Sequence, residues 1–183
     1  MKRVLAIALA ATLFAACDDE PKQLVGTISD ATMNGITVCG PDGGEHLFPI
    51  EGADLSEANG LLAGSPVTVE YTGTPERVKR VLKVSTDATY AAAVGDWTRP
   101  DPIDENGVMG IRLQTGGAAE SIRMATLVYT SWELLEEAGK IRLKGRSIGN
   151  GQTVDFEETA EISERDGRLT LTTDNGTFYT RER

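Results

Sequence analysis

The chain has 183 residues, with 18 basic and 28 acidic side chains and a formal net charge of −10. A surface that negative repels phosphate backbones, which excludes nucleic acid as a partner and disfavours direct docking on anionic lipid. One histidine and two cysteines cannot furnish most zinc sites, a haem pair or an iron–sulfur cluster, so no cofactor or metal is expected.

Residues 1–17 read MKRVLAIALAATLFAAC. Lys2 and Arg3 form a positive start, 4–14 an apolar run broken only by Thr12, and Ala15 and Ala16 present small side chains. This is the layout of a secretory signal, and it is too short for a spanning helix. The Ala15-Ala16-Cys17 junction resembles that of bacterial lipoproteins, whose cysteine thiol is diacylglycerated while the leader is cut just before it. The resemblance implies a leader over 1–16, lipidation at Cys17 and a membrane as partner through the acyl anchor. Phe14 stands where that family prefers leucine. An ordinary signal peptide cut after Ala16, leaving Cys17 as a spare thiol, is the alternative. Residues 17–21 form an acidic tether. Its Asp18-Asp19-Glu20 is similar to an inner-membrane retention signal of some bacteria and a surface-export signal of others. The residues thus predict a cell-envelope protein and leave both leaflets open.

The first block, 22–87, carries strand-like runs at 24–29, 36–38, 46–50, 67–71 and 78–84. They are separated by Asn34-Gly35, Asp42-Gly43-Gly44 and Gly73-Thr74-Pro75. One helix is expected over 54–60, with Asp54 as cap, Glu57 three residues on and Gly60 as stop. Five strands with a short helix between the third and fourth is the order of an OB-type Greek-key barrel, and an SH3-like barrel fits the same pattern. Cys39, left without a partner if Cys17 carries lipid, has no neighbouring cation to lower its pKa and reads as a half-buried strand residue.

The alanine-rich stretch 88–93 shows no strand pattern and is expected to be a linker. The second block, 94–183, is nearly all strand, with runs at 108–114, 118–123, 126–135, 140–147, 153–163, 168–173 and 177–182. Turns such as Gly149-Asn150-Gly151, Asp166-Gly167 and Asp174-Asn175-Gly176 tolerate positive φ and join neighbouring antiparallel strands. Alternation is cleanest where Ile141 and Leu143 face inward between cations. A continuous meander leaves two open edges unless it closes, so an up-and-down barrel follows. The fold class is all-β.

Here the residues resemble a known family. Gly95-Asp96-Trp97, at the head of the meander, looks like the Gly-x-Trp signature of the lipocalin barrel. The longer strings Met124-Ala125-Thr126-Leu127-Val128-Tyr129, Ser131-Trp132 and 145–153 resemble the lipocalin-like domains of uncharacterised bacterial lipoproteins. The resemblance covers about half the chain. It implies that Trp97 closes the barrel base against a cation near the last strand, for which Arg181 is the candidate. Two barrels on a lipid tether are also similar to envelope-sensing lipoproteins of the NlpE type, although their Cys-x-x-Cys is missing here and the domain order is reversed.

No catalytic residue is expected. His46 is alone, there is no nucleophile elbow, and the run Asp101-Pro102-Ile103-Asp104-Glu105 lacks the spacing of a calcium loop. Alternation places Val154, Phe156, Glu158, Ala160 and Ile162 on one face. Glu158 is the anomaly: an inward carboxylate needs a partner, unless a bend turns it out. Trp132 shares its alternation face with Val128 and Thr130. Val128, Trp132, Ile141, Leu143, Phe156 and Glu158 are therefore the candidate ligand-pocket residues. The expectation is a lipid-anchored binding protein that takes a small apolar or amphipathic ligand or an envelope partner. The competing expectation is a structural or sensory lipoprotein with a filled barrel, acting through protein or glycan contacts of the OB-like domain.

Overall fold

The computed structural model describes residues 20–181, and the leader, Cys17 and Arg183 lie outside them. The first sheet contains β1 (Lys22–Ala31), β2 (Gly35–Cys39), β3 (Glu45–Pro49), β4 (Asp54–Glu57), β5 (Pro66–Thr74) and β6 (Arg77–Thr86) in the order β3-β2-β1-β5-β6-β4. The β1–β2–β3 meander and the β5–β6 hairpin meet across β1, the Greek-key crossing an OB-type barrel uses. Residues of β3 approach β6, so the sheet curls into a half-barrel. Its core comprises Leu24, Ile28, Ile36, Val38, Phe48, Val69, Tyr71 and Val84, with the Phe48 and Tyr71 rings edge-on at 5.2 Å. Cys39 is half-buried and unpaired on β2.

The helix expected over 54–60 is instead β4, which runs parallel to β6. Asp54 Oδ1 accepts from its own i+2 amide, Ser56 N, at 2.9 Å. That local bond competes with helix formation. Glu57 then accepts from Lys83 at 2.6 Å and Ser85 at 3.1 Å, both on β6. A seven-residue helix has little propagation to offset nucleation, so the tertiary pairing wins.

The stretch expected as a bare linker is α1 (Ala88–Ala93), capped by Asp87 Oδ1 on Tyr90 N at 2.7 Å. Tyr90 and Ala93 belong to the second core. The Tyr90 hydroxyl donates to Ala63 O and accepts from Gly116 N, each at 2.8 Å, so one side chain ties the two halves together.

The second sheet contains β7 (Gly95–Pro100), β8 (Val108–Leu113), β9 (Ala119–Ile122), β10 (Leu127–Leu134), β11 (Lys140–Gly149), β12 (Gln152–Arg165), β13 (Arg168–Thr173) and β14 (Phe178–Arg181). Its order is β10-β11-β12-β13-β14-β7-β8-β9, every pair antiparallel. Gly95–Pro100 is thus a stave in its own right. β9 and β10 nearly close the ring. They meet through the Ala118–Ser131 bridge and through Ser121, whose hydroxyl donates to Leu127 O at 2.6 Å and accepts from Tyr129 N at 2.8 Å. The antiparallel order sets α1 and Arg181 at one end, the base. The β7–β8 loop, the β11–β12 hairpin tip and the 173–178 turn stand at the other, the mouth.

Candidate functional site

The base is built on Gly95, Trp97 and Arg181. Trp97 is fully buried on β7 and donates its indole N–H to Ala93 O at 2.7 Å, locking α1 beneath the barrel. Arg181 Cζ lies 5.1 Å from the Trp97 ring centroid, and the guanidinium also donates to Val94 O. Gly95 has φ of +142° and lies against that guanidinium, so a Cβ there would be both strained and displaced. Burial depresses the Arg181 pKa, because its charge is held away from water.

The lower barrel is filled. Ile141 and Leu143 are fully buried there with Ile111, Leu113 and Leu171. Trp132 is buried too, packed on Tyr90 with centroids 5.1 Å apart and donating to Gln114 O at 2.9 Å. These residues form floor rather than pocket lining.

Val128 and Thr130 do not share Trp132's face. Tyr129 pairs with Gly145 and Ser131 with Lys144, so Thr130 is an extra residue, a β-bulge. The bulge shifts the alternation by one, so Tyr129 and Trp132 both point inward. Val128 is only half-buried and Thr130 is exposed.

Glu158 points inward and is 8% exposed. Its Oε1 accepts from the Tyr129 hydroxyl at 2.5 Å and its Oε2 from Asn175 Nδ2 at 2.8 Å. Asn175 is fixed by its own turn, accepting from Thr173, Thr177 N and the Thr177 hydroxyl. Desolvation raises the Glu158 pKa, and the Tyr129 bond partly offsets it. Burial, with that same bond, drives the Tyr129 pKa strongly upward. Gly145 makes the meeting possible. It sits between Tyr129 and Phe156 in one cross-strand row and leaves room for their rings to pack edge-on at 5.4 Å. A Cβ on Gly145 would run into Phe156 and the Val128 carbonyl.

Arg99 completes the cluster. It shares Trp97's face of β7, two residues nearer the mouth, and its Cζ lies 5.6 Å from the Tyr179 centroid. Its Nε is buried without a hydrogen-bond partner, and no carboxylate among the described residues pairs with it. The Tyr179 pKa is raised by burial, with the Arg99 charge opposing. Met109 and Met124 supply apolar wall. Reading β7 as a signature rather than a stave hid Arg99, and the bulge hid Tyr129. Tyr179 was accessible from simple alternation with Arg181.

A groove of about 540 Å³ crosses β10, β11 and β12 and reaches Gly145 and Phe156. Its charged lining is Lys144, Arg146, Asp155 and Glu157, and Lys144 also pairs with Glu133 at 3.2 Å. His46 Nε2 is 3.9 Å from Asp42 Oδ1. Asp104 pairs with Arg123 at 2.8 Å. No group of three His, Cys, Asp or Glu side chains poised to hold a metal occurs among the described residues.

A nearly closed eight-stranded antiparallel barrel, whose Gly-x-Trp tryptophan is capped by a late arginine, is a lipocalin-like barrel. A family model described as lipocalin-like matches residues 89–182, just over half of the chain, and the chain belongs to that family. The match begins inside α1. Among solved structures, the crystal structure of a lipocalin-like protein from Bacteroides thetaiotaomicron is 42% identical over 49% of this chain and 96% of that one, with a TM-score of 0.42. No curated protein matches the chain.

Proposed function

We propose that this is a non-enzymatic, lipid-anchored protein of the bacterial cell envelope whose second barrel binds a small amphipathic molecule at its mouth. The observation that carries the reading is the inward cluster of Arg99, Tyr129, Glu158 and Tyr179 above an apolar floor. A barrel filled only for stability gains nothing from a buried carboxylate and a half-buried guanidinium, whose desolvation must be offset. Binding sites, by contrast, combine apolar walls with a few convergent polar groups. The packed floor limits the ligand to a small molecule, consistent with the narrow bore of eight strands.

Anchoring rests on Ala15-Ala16-Cys17 after the apolar leader. Two or three acyl chains, at about 0.8 kcal/mol per buried CH2, hold a protein far better than one. Mass spectrometry of the protein purified from its host in mild detergent tests both parts. An acylated Cys17 with a co-purifying small molecule is the expected result. Cys17→Ala should release the protein into the soluble fraction, and retention after a high-salt wash would refute the anchor. The packed floor also favours a second reading, in which the barrel holds nothing and the molecule works through protein or glycan contacts. An acylated protein carrying no small molecule, and binding none in titration, would support that one.

A further inference from the structure

Resting on that binding reading, we infer that the ligand carries an anionic head group and enters head-first, its charge meeting Arg99 and its apolar part remaining at the rim. Three observations carry this. Arg99 is half-buried at the mouth, and no carboxylate among the described residues pairs with it. Its Nε is buried without a partner, whereas both oxygens of Glu158 are already engaged by Tyr129 and Asn175. A buried guanidinium donor left unsatisfied is costly, and an anion is the acceptor that best relieves it. The second observation is the order of inward positions along β12. From the mouth downward they are Val154, 59% exposed, then half-buried Phe156, then buried Glu158. Apolar surface therefore lies outside polar surface, the reverse of a cup that swallows an apolar chain. The third is the floor of Trp97, Ile111, Leu113 and Leu171, fully packed below the cluster. A chain cannot descend past it. Only the head group can be deep, and the tail must lie against Phe156, Val154 and the β7–β8 loop, whose Ile103 is 93% exposed.

Calorimetric titration of the full chain with decanoate and with decan-1-ol tests the head group. Decanoate should bind about ten- to hundred-fold more tightly, the range of a charge-assisted hydrogen bond. Arg99→Met should abolish that preference and leave the alcohol unchanged. Equal binding of acid and alcohol by the unaltered protein would overturn the inference while leaving a mouth-binding function intact. Binding of neither would overturn that function as well. Orientation is read separately, with a fatty acid bearing a nitroxide at its far end. Broadening of the Val154 and Phe156 amides, with Ile111 and Leu113 unaffected, is the expected outcome. Broadening confined to Ile111 and Leu113 would mean tail-first binding and refute the proposal.

Discussion

Removing Trp97 tests whether the base is held by a coupled pair or by two independent contacts. The indole is fully buried, so Trp97→Ala deletes a large core side chain at about 3–5 kcal/mol. Arg181→Met keeps the aliphatic stem. It loses a cation–π contact at 5.1 Å worth about 0.5–2 kcal/mol, and a hydrogen bond to Val94 O worth about 1 kcal/mol. Because the guanidinium lies over the ring it stabilises, the double variant should recover about 0.5–2 kcal/mol relative to the sum of the singles. Scanning calorimetry of the four proteins gives the cycle without a tryptophan signal. For a barrel of this size each kcal/mol moves the midpoint by roughly 4–8 °C, so the coupling is resolvable. Losses that add to within about 0.3 kcal/mol would show that Arg181 contributes only as packing and would refute the pairing.

Four further outcomes follow from the geometry. Glu158 has a pKa raised above its ordinary 4.5, so the native state holds its proton more tightly than the unfolded chain. Its contribution is therefore full below that ordinary value and is lost as pH rises through the raised one. Glu158→Gln should flatten this part of the stability–pH profile in denaturant titrations. Tyr90→Phe strips the partners from Ala63 O and Gly116 N–H and should cost about 1–3 kcal/mol, with faster amide exchange at Gly116. Gly145→Ala places a methyl against Phe156 and the Val128 carbonyl and should cost about 1–3 kcal/mol in denaturant unfolding. A fragment starting at Asp87 should be measurably more stable than one starting at Val94, which lacks the Ala93 carbonyl that Trp97 bonds.

Much of this architecture was legible in the residues. Period-two alternation in 140–147 and the Asn-Gly and Asp-Gly turns specify neighbouring antiparallel strands, and closure follows from the need to hide two edges. The misreadings share a cause, since each element's state is set by a partner distant in sequence. Asp54–Glu57 carries helix-cap residues, but Lys83 and Ser85 recruit Glu57 to β6. Ala88–Ala93 lacks a strand pattern and looks like a joint, yet Tyr90 and Ala93 are core residues because the barrel base above them needs covering. Thr130 looks like any alternating residue, and nothing local announces it as a bulge.

The bulge matters most, because it decides which aromatic ring meets the buried acid. Alternation alone sends Glu158 inward and Tyr129 outward, leaving a carboxylate in an apolar barrel with no donor, an arrangement that costs several kcal/mol. That contradiction was itself a signal. Two strands away lies a tyrosine off by one position, and its neighbour across the β10–β11 ladder is Gly145, whose missing side chain leaves the ring room. One inserted residue at Thr130 turns Tyr129 inward and satisfies Glu158 Oε1. An inward acid thus constrains the register of a strand that does not touch it in the ladder. Arg99 shows no such compensation: among the described residues its Nε is buried without a hydrogen-bond partner, whereas both oxygens of Glu158 are engaged.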